Sequence, residues 1–244
     1  MLSTQRKCLR ILQVLFIGSI ILKDCTLPHN FQDAEAHNTK QKTIDFYSTN
    51  SLSFFEQYQS INTADVFGSA IALFPVKPSI ILDIGSGSGR DAAWMAKQGH
   101  IVTAVEPAVN MRKQAAILHH QQPIQWIDDR LPELSSINRP QSGFDFILIS
   151  AVWMHLTPDD RLIALQRLAS LISDEGTILI SLRHGPSDPS RPMLPINTTK
   201  EIENAKNIGF KTAETVPTSE QDKLGRQNVY WEMLKLKIQG HRTT

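Results

Sequence analysis

The segment of the chain best suited to chemistry is a glycine-rich stretch after a short apolar run. It reads Asp83-Ile84-Gly85-Ser86-Gly87-Ser88-Gly89. Glycines at alternate positions let a ligand approach the backbone closely, and ligands of open parallel sheets bind beyond the carboxyl ends of the strands. A tight turn that merely needs glycine is the simpler interpretation. Three alternating glycines at this place favour a ligand site.

The spacing of these glycines separates two classes of cofactor. A dinucleotide fingerprint places its third glycine three positions after the second, where this chain has Arg90. Here the third glycine comes two positions after the second, and Asp83 precedes the turn. In these residues the sequence resembles the class I methyltransferases that use S-adenosyl-L-methionine (SAM), whose first motif is apolar-apolar-Asp-apolar-Gly-x-Gly-x-Gly. Residues Ile81 to Gly89 match that motif at every position.

The resemblance extends over roughly Thr43 to Lys237 and implies where SAM binds. The three glycines would lie against the methionine part, and Asp83 would orient the amino group, directly or through water. Glu106, at the end of the second predicted strand, stands where the family places an acid that accepts both ribose hydroxyls. The alternative for Glu106 is a carboxylate that stabilises the start of the helix after Pro107.

Two further segments resemble cofactor-binding parts of the family. Asp128 and Asp129 follow the third predicted strand, where the family often has an acid facing the adenine amino group. The Leu131-Pro132 pair beyond them is common in the family, but its spacing is short, so both aspartates stay open and Asp128 is favoured. Tyr47, in the sequence FYSTN, resembles a cap motif that several members close over SAM. The alternative is a core aromatic in the first turn of a helix.

Three side chains after the fourth and fifth predicted strands are candidates for catalysis. His155 could act as a base, although many methyltransferases with differing substrates carry a histidine here, so a structural role is an equal alternative. Arg183 could bind an acidic group of the acceptor, and His184 could be a base or a binder. The alternatives are a loop salt bridge for Arg183 and an exposed ring for His184.

The sequence favours a small-molecule acceptor for the methyl group. The motif Asn/Asp-Pro-Pro-Tyr, which methylases of amino groups in DNA bases or glutamine carry after the fourth strand, is absent, and Ser150 to Trp153 stand there. With 25 basic and 24 acidic residues the net charge is +1, so nucleic acid is not an expected partner. An RNA or protein acceptor is the first alternative. A SAM-binding regulatory module without catalysis is the alternative from a different class.

The elements that must position these residues alternate between strand and helix. Apolar runs predict strands at 78–85, 100–106, 123–128, 144–150, 176–182, 209–216 and 228–237. Apolar faces at helical spacing predict helices at 53–59, 64–74, 90–98, 110–119 and 198–207, and one from Thr157 that ends at Gly176. Such alternation predicts an α/β protein with a parallel sheet covered on both faces. The resemblance implies a Rossmann-like methyltransferase fold, with a mostly parallel seven-stranded sheet, helices on both faces and a C-terminal antiparallel strand.

The N-terminal 41 residues are predicted to be separate from a methyltransferase domain at residues 42–240. Three basic residues precede twelve mostly apolar ones, Ile11 to Leu22, which are too few to span a bilayer as a helix. A signal peptide or short anchor, a helix packed on the protein, and an upstream start without a structural role all stay open. Lys23 to Gln41 read as a polar linker.

The expected location follows from where SAM is made, and the expected absence of a metal follows from the available ligands. SAM is made and used inside cells, so we expect a cytoplasmic protein, with a loose membrane association through Ile11 to Leu22; a membrane anchor or signal peptide is the alternative. No metal is expected, because His119-His120 has no third ligand in view and the two cysteines, Cys8 and Cys25, lie near the N-terminus.

Overall fold

The computed structural model, which describes residues 40–216 and 222–238, is built around a seven-stranded β-sheet. All of these residues belong to the unit Ala36–Thr244. In chain order the strands are β1 (Ile80–Ile84), β2 (Ile101–Val105), β3 (Ile124–Ile127), β4 (Phe144–Ile149), β5 (Ile172–His184), β6 (Phe210–Val216) and β7 (Tyr230–Ile238).

Helices connect most of the strands and precede the first one. Residues 40–49 are helical and form α1. The others are α2 (Ser51–Gln59), α3 (Thr63–Phe67), α4 (Arg90–Lys97), α5 (Val109–Leu118), α6 (Pro158–Leu171) and α7 (Thr198–Ile208), with 3-10 turns at Gly68–Leu73 and Trp153–His155.

The strand order places a crevice beside β1. The order across the sheet is β3-β2-β1-β4-β5-β7-β6. β1 to β5 are parallel, and β7 runs antiparallel to both β5 and β6. The chain therefore moves outward from β1 to β3 and then returns to the other side of β1, and such a switch point is where open parallel sheets bind ligands. The predicted fold is confirmed, including the antiparallel C-terminal strand.

Both faces of the sheet are covered, because its central strands are apolar on both sides. Ile81 and Leu82 are neighbours that point to opposite faces, and both are fully buried. On one face Ile81 packs with Met95 of α4 and Phe67 of α3. On the other face Leu82 packs with residues of α6 and α7, such as Leu168.

Helix α6 begins at the capping box that the sequence predicts, but it ends before the predicted residue. The Thr157 hydroxyl accepts from the Asp160 N–H, and the Asp160 carboxylate accepts from the Thr157 N–H, as in a capping box. The predicted end at Gly176 is wrong, because the helix stops at Leu171 and Ile172 already pairs with Phe144 of β4. Gly176 instead permits a close strand approach, since a Cβ there would lie 2.8 Å from the Phe144 carbonyl oxygen.

The predicted N-terminal apolar segment, Ile11 to Leu22, lies outside the described residues, as does all of the predicted linker except residues 40 and 41, which are helical. Within residues 40–216 and 222–238, none of the helices combines the length and apolar character needed to cross a bilayer. The boundary at residue 41 and the cytoplasmic location therefore stay predictions.

Candidate active site

A cleft of about 260 Å3 opens at the carboxyl ends of β1 and β4. Its floor is the glycine-rich turn together with Glu106 and the loop after β4, and the described N-terminal helices contribute Tyr47 and Tyr58. A further wall comes from the C-terminal third of the chain, with Arg191, Asp222, Lys223, Arg226 and Trp231. The cleft therefore joins residues that are more than 180 positions apart in sequence.

The glycine-rich turn needs glycine for two separate physical reasons. Gly85, Gly87 and Gly89 all have positive φ, between 54° and 74°, which residues with a Cβ rarely adopt. In addition, a Cβ on Gly85 would lie 2.3 Å from the Val152 Cγ2 atom, and one on Gly89 would lie 2.5 Å from the Trp126 ring. The turn is thus fixed by packing beneath it as well as by its backbone conformation.

Glu106 is built into this turn rather than placed beside it. Its Oε2 accepts from the Gly87 N–H and its Oε1 accepts from the Ala108 N–H, both at 2.8 Å. Burial raises the pKa of Glu106, and these two bonds oppose that rise. Each carboxylate oxygen keeps a second lone pair, so Glu106 can accept two more hydrogen bonds from adjacent hydroxyls in the cleft.

Asp83 is the clearest sign that the cleft accepts a cation. The residue is 2% exposed, and its Oδ2 has no hydrogen-bond partner within the described part of the chain. Burial, together with the charges of Asp91 and Glu106, raises the pKa of Asp83 well above its usual value. A buried carboxylate with an unpaired oxygen costs free energy, and a ligand ammonium beside Asp83 would reduce that cost. The residues of this end therefore fit SAM, which offers an ammonium and a ribose diol.

The structure separates the two aspartates that follow β3. Asp129 lines the cleft, and its two carboxylate oxygens accept from the N–H groups of Arg130 and Ser136. The side chain of Asp128 is 66% exposed and lies 2.7 Å from an Arg112 nitrogen. Asp128, which the sequence favoured, is not among the residues that line the cleft. Its salt bridge to Arg112 gives the physical reason.

The second described helix, α2, is tied directly to the glycine-rich turn. The Gln59 amide donates to the Ser88 carbonyl oxygen at 2.9 Å, and the Arg90 guanidinium donates to the Tyr58 carbonyl oxygen. The aromatic ring of Tyr58 lies 3.9 Å from the position of a Cβ on Gly87. Tyr47 joins the same group through its hydrogen bond with Tyr58. The sequence-predicted cap residue Tyr47 therefore does lie at the cleft.

His155 lines the cleft and has one ring nitrogen without a partner among the described residues. Its Nδ1 lies 3.0 Å from the Pro192 carbonyl oxygen, so Nδ1 carries the proton and Nε2 is left as an acceptor. This Nε2 is buried and lacks a hydrogen-bond partner among residues 40–216 and 222–238. Burial lowers the pKa of His155 to about 4. His155 is therefore neutral near pH 7, and it is a weak base.

The two candidates at the end of β5 have different environments. Arg183 is 6% exposed, donates to the Pro186 carbonyl oxygen and interacts electrostatically with Arg191 and Arg226 of the cleft wall, although it does not itself line the cleft. His184 is held elsewhere: its Nε2 lies 2.7 Å from the Glu232 carboxylate, and its ring stacks on Tyr230. We therefore do not include His184 in the site.

The sequence patterns did not identify Arg191, which lines the cleft. Its guanidinium donates to the Tyr47 hydroxyl at 2.9 Å and to the Asp188 carboxylate at 3.1 Å, and it lies over the Phe54 ring. Arg191 stands in a loop without a recognisable motif, and only proximity in space connects it with Tyr47, 144 positions earlier. The one available signal is the position of Arg191 after the fifth strand, because residues that follow the fourth and fifth strands are candidates for binding the acceptor.

Fold and cleft together define a class: a Rossmann-like methyltransferase, with a carboxylate on each side of a glycine-rich turn at the switch point of the sheet. A family model described as "Methyltransferase domain" matches residues 58–237. The chain belongs to this methyltransferase family. The predicted class and the predicted cofactor of that class, SAM, are thereby confirmed.

Relatives of known sequence and structure agree with this assignment. An uncharacterised methyltransferase of Mycobacterium bovis is 30% identical over 120 residues, which are 47% of this chain and 58% of that relative. The chain thus matches little more than half the length of this relative.

Two solved structures share the fold. A TehB-like SAM-dependent methyltransferase from Corynebacterium glutamicum has a TM-score of 0.56 and 22% identity, over 78% of this chain and 99% of that one. The 1,6-didemethyltoxoflavin-N1-methyltransferase of Burkholderia thailandensis, solved with its substrate and S-adenosylhomocysteine (SAH), has a TM-score of 0.59 and 16% identity, over 89% of this chain and 93% of that one.

Proposed function

We propose that this protein binds SAM in the cleft and transfers its methyl group to a small-molecule acceptor. The observation that carries the proposal is the pair of buried carboxylates that flank one glycine-rich turn, Asp83 with an unpaired Oδ2 and Glu106 with a free lone pair on each oxygen. Asp83 would hold the amino group, and Glu106 would hold the ribose hydroxyls. Asp129 replaces Asp128 as the residue beside the adenine. When bound, SAM supplies a methyl group on a positively charged sulfur, which is reactive without further activation.

The residues of the chain then have positioning as their main task. Tyr47 and Tyr58 cover the turn and exclude water, and the described helices that carry them keep the acceptor against the cofactor side. His155 Nε2 can accept a hydrogen bond from an acceptor O–H or N–H and so orient its lone pair. Because the pKa of His155 is about 4, we expect orientation rather than strong general-base catalysis from it.

The size of the cleft, about 260 Å3, supports a small acceptor. Its exposed surface is largely apolar, with Tyr47, Tyr58, Met154 and Trp231 among the residues that line it, and charged side chains lie between them, as in sites for small organic molecules. The net charge of +1 gives no general attraction for nucleic acid. The Burkholderia protein of the same fold is a 1,6-didemethyltoxoflavin-N1-methyltransferase solved with bound 1,6-didemethyltoxoflavin. An RNA or protein acceptor, and a regulatory module that binds SAM without turnover, are the alternatives.

Two measurements test this function. Calorimetry with SAM, SAH and NAD should show binding of the first two and none of the third, and NAD binding without SAM binding would exclude the assignment. Incubation of the protein with methyl-labelled SAM and a cell extract then separates the alternatives. Label in low-molecular-weight products supports the proposal, label in RNA or protein supports the first alternative, and absence of label with intact SAM binding supports a regulatory module.

We also propose that the protein works in the cytoplasm, because SAM is made and used there. The segment Ile11 to Leu22 would add a loose membrane association. Fractionation tests this: a shortened mature form outside the cytoplasm would establish a signal peptide instead.

A further inference from the structure

Charges of opposite sign predominate at the glycine-rich turn and at the wall from the C-terminal third of the chain; Arg90, which also lines the cleft beside the turn, is paired with Asp91. The carboxylates of Asp83 and Glu106 flank the glycine-rich turn, while the wall from the C-terminal third carries Arg191, Lys223 and Arg226. Behind this wall lies the buried guanidinium of Arg183. A cofactor with a positive charge suits the acidic end. The basic end calls for a ligand of the opposite sign.

The two carboxylates near the basic wall, Asp188 and Asp222, neutralise it only in part. Asp222 accepts from the guanidinium of Arg226 and from the Trp231 indole N–H, so it offsets the charge of Arg226 but not the charges of Arg191, Lys223 and Arg183. Asp188 pairs with Arg191, but its side chain is 38% exposed, and solvent screens such a pair. Arg183 forms no salt bridge within the described residues, and its Nε is buried without a hydrogen-bond partner there. Four basic side chains thus face two acidic ones.

Arg191 has the donors that an oxyanion needs. A guanidinium carries five N–H groups, and the hydrogen bonds of Arg191 go to three partners, Asp188, Tyr47 and Tyr58. Donors in a planar fork match the oxygens of a carboxylate or a phosphate. The aromatic rings of Phe54 and Tyr47 lie within 5.6 Å of the guanidinium carbon and hold it in place. The group is therefore preorganised at the cleft.

A second polar contact lies next to this arginine. His155 and Arg191 both contact the Tyr47 ring, and the Pro192 carbonyl that fixes the His155 ring follows Arg191 in sequence. His155 Nε2 is an unpaired acceptor, which would repel an oxyanion and bind an O–H or N–H group. Arg191 would thus bind an oxyanion, and His155 would bind an O–H or N–H group of the same small ligand.

We propose, on the basis of the methyltransferase function proposed above, that the acceptor is a small acid: its carboxylate or phosphate lies against Arg191, and a neighbouring O–H or N–H group donates to His155 Nε2. The buried charge of Arg183 strengthens the potential at this wall without touching the ligand. The apolar body of the acceptor lies against the aromatic side chains of the cleft.

The test uses the full-length protein saturated with SAH and measures the binding of four probes by calorimetry. The probes are salicylate, its neutral amide salicylamide, benzoate and phenyl phosphate. We expect salicylate to bind at least tenfold more tightly than salicylamide, and the comparison of benzoate with phenyl phosphate identifies the preferred oxyanion. Equal binding of salicylate and salicylamide, or no binding of any anion to protein that does bind SAH, would overturn the proposal. A failure to bind SAH would instead overturn the proposed function.

Variants assign the effect to the named residues. Arg191→Gln should weaken salicylate binding at least tenfold, and a parallel SAH titration shows whether Tyr47 and Tyr58, its hydrogen-bond partners, stay in place. The salicylate affinity of Arg191→Lys should lie between those of Arg191→Gln and the wild type, because lysine keeps the charge but loses the fork. Lys200→Gln, which removes an exposed positive charge on α7, is the matched control and should change neither affinity. His155→Leu should weaken salicylate more than benzoate, since benzoate lacks the donor group. Salicylate binding that is unchanged in Arg191→Gln would contradict the assignment.

Discussion

Each oxygen of the Glu106 carboxylate already accepts a hydrogen bond from one backbone N–H, so this side chain helps to hold the glycine-rich turn in place. Glu106→Ala should weaken SAM affinity by about ten- to a hundredfold, because charge-assisted bonds to the ribose contribute ~1.5–3 kcal/mol. Calorimetry with SAM measures this, and a thermal unfolding curve shows whether the turn survives. Wild-type affinity in a folded variant would exclude the role of Glu106.

The two adjacent aspartates after β3 offer a matched comparison at one position of the sheet. Asp129→Asn should reduce SAM affinity by about threefold to tenfold, because Asp129 lines the cleft and orders the Arg130 to Ser136 loop. Asp128→Asn should leave the affinity within about twofold, since its carboxylate faces Arg112 and solvent. A larger loss of SAM affinity in Asp128→Asn than in Asp129→Asn would support Asp128, which the sequence favoured, as the residue beside the adenine.

Asp83 makes the ligand-free protein sensitive to pH in a defined direction. Burial raises the pKa of Asp83 in the native state well above the value of ~3.9 expected when unfolded. Between these two values the native state binds more protons, so the free energy of unfolding falls as pH rises through that window. Asp83→Asn should therefore raise the Tm at pH 8, by about 2–4 °C for each kcal/mol relieved.

The gain in Tm from Asp83→Asn should shrink as the pH approaches 4, where the native carboxyl is already neutral. His155, whose pKa is lowered to about 4, stabilises the protein as pH rises, but it does so equally in the wild type and the variant and cancels in the difference. A difference in Tm that does not vary with pH would contradict the raised pKa of Asp83.

At the scale of elements, the glycine-rich turn depends on what packs beneath it. Gly85→Ala combines a positive φ with a Cβ only 2.3 Å from Val152, whereas Gly99→Ala, at φ +90°, meets nothing within 4 Å. Gly99→Ala should cost ~1–2 kcal/mol of unfolding free energy for its backbone conformation alone. Gly85→Ala should cost about 1–3 kcal/mol more from overpacking. Chemical denaturation of the two variants measures the difference, and equal costs would show that Val152 moves aside freely.

The elements of the cofactor side could be predicted because their signals are local. The apolar run of β1, the glycines of the turn and Glu106 at the end of β2 stand at short, regular intervals. The acceptor side could not be predicted in this way, because Arg191 and Tyr47 meet only through the folded chain. Asp128 and His184 do not line the cleft for a related reason: motif order predicts the end of a strand, but the side-chain partners, Arg112 and Glu232, fix the direction of each side chain.

At the scale of the whole molecule, the described helices α1 and α2 connect the N-terminal side of the chain to the cleft. Lys40 of α1 lies 2.7 Å from Asp160 at the start of α6, and Gln59 of α2 contacts the glycine-rich turn. Deletion of residues 1–35 should therefore leave Tm and SAM affinity nearly unchanged. Deletion of residues 1–59 should reduce SAM affinity at least tenfold, because it removes Tyr47, Tyr58 and Gln59.

Comparison of the two shortened chains locates the true boundary of the domain. If the chain without residues 1–35 loses stability or SAM affinity, the N-terminal segment belongs to the folded unit and the predicted separation at residue 41 is wrong. If both deletions leave SAM affinity intact, the described helices are not the cover of the cofactor that we propose.

The position of Trp231 provides a built-in optical probe. Of the four tryptophans, only Trp231 lines the cleft, where its indole lies 5.8 Å from the guanidinium carbon of Arg226 and donates to Asp222. Trp153, by contrast, is fully buried, and its indole N–H donates to the Glu201 carboxylate. Fluorescence emission from this single indole should therefore shift when an acid enters the basic end of the cleft, and Trp231→Phe should abolish that change while the emission of the other three remains. Acceptor binding can thus be followed in real time without a label.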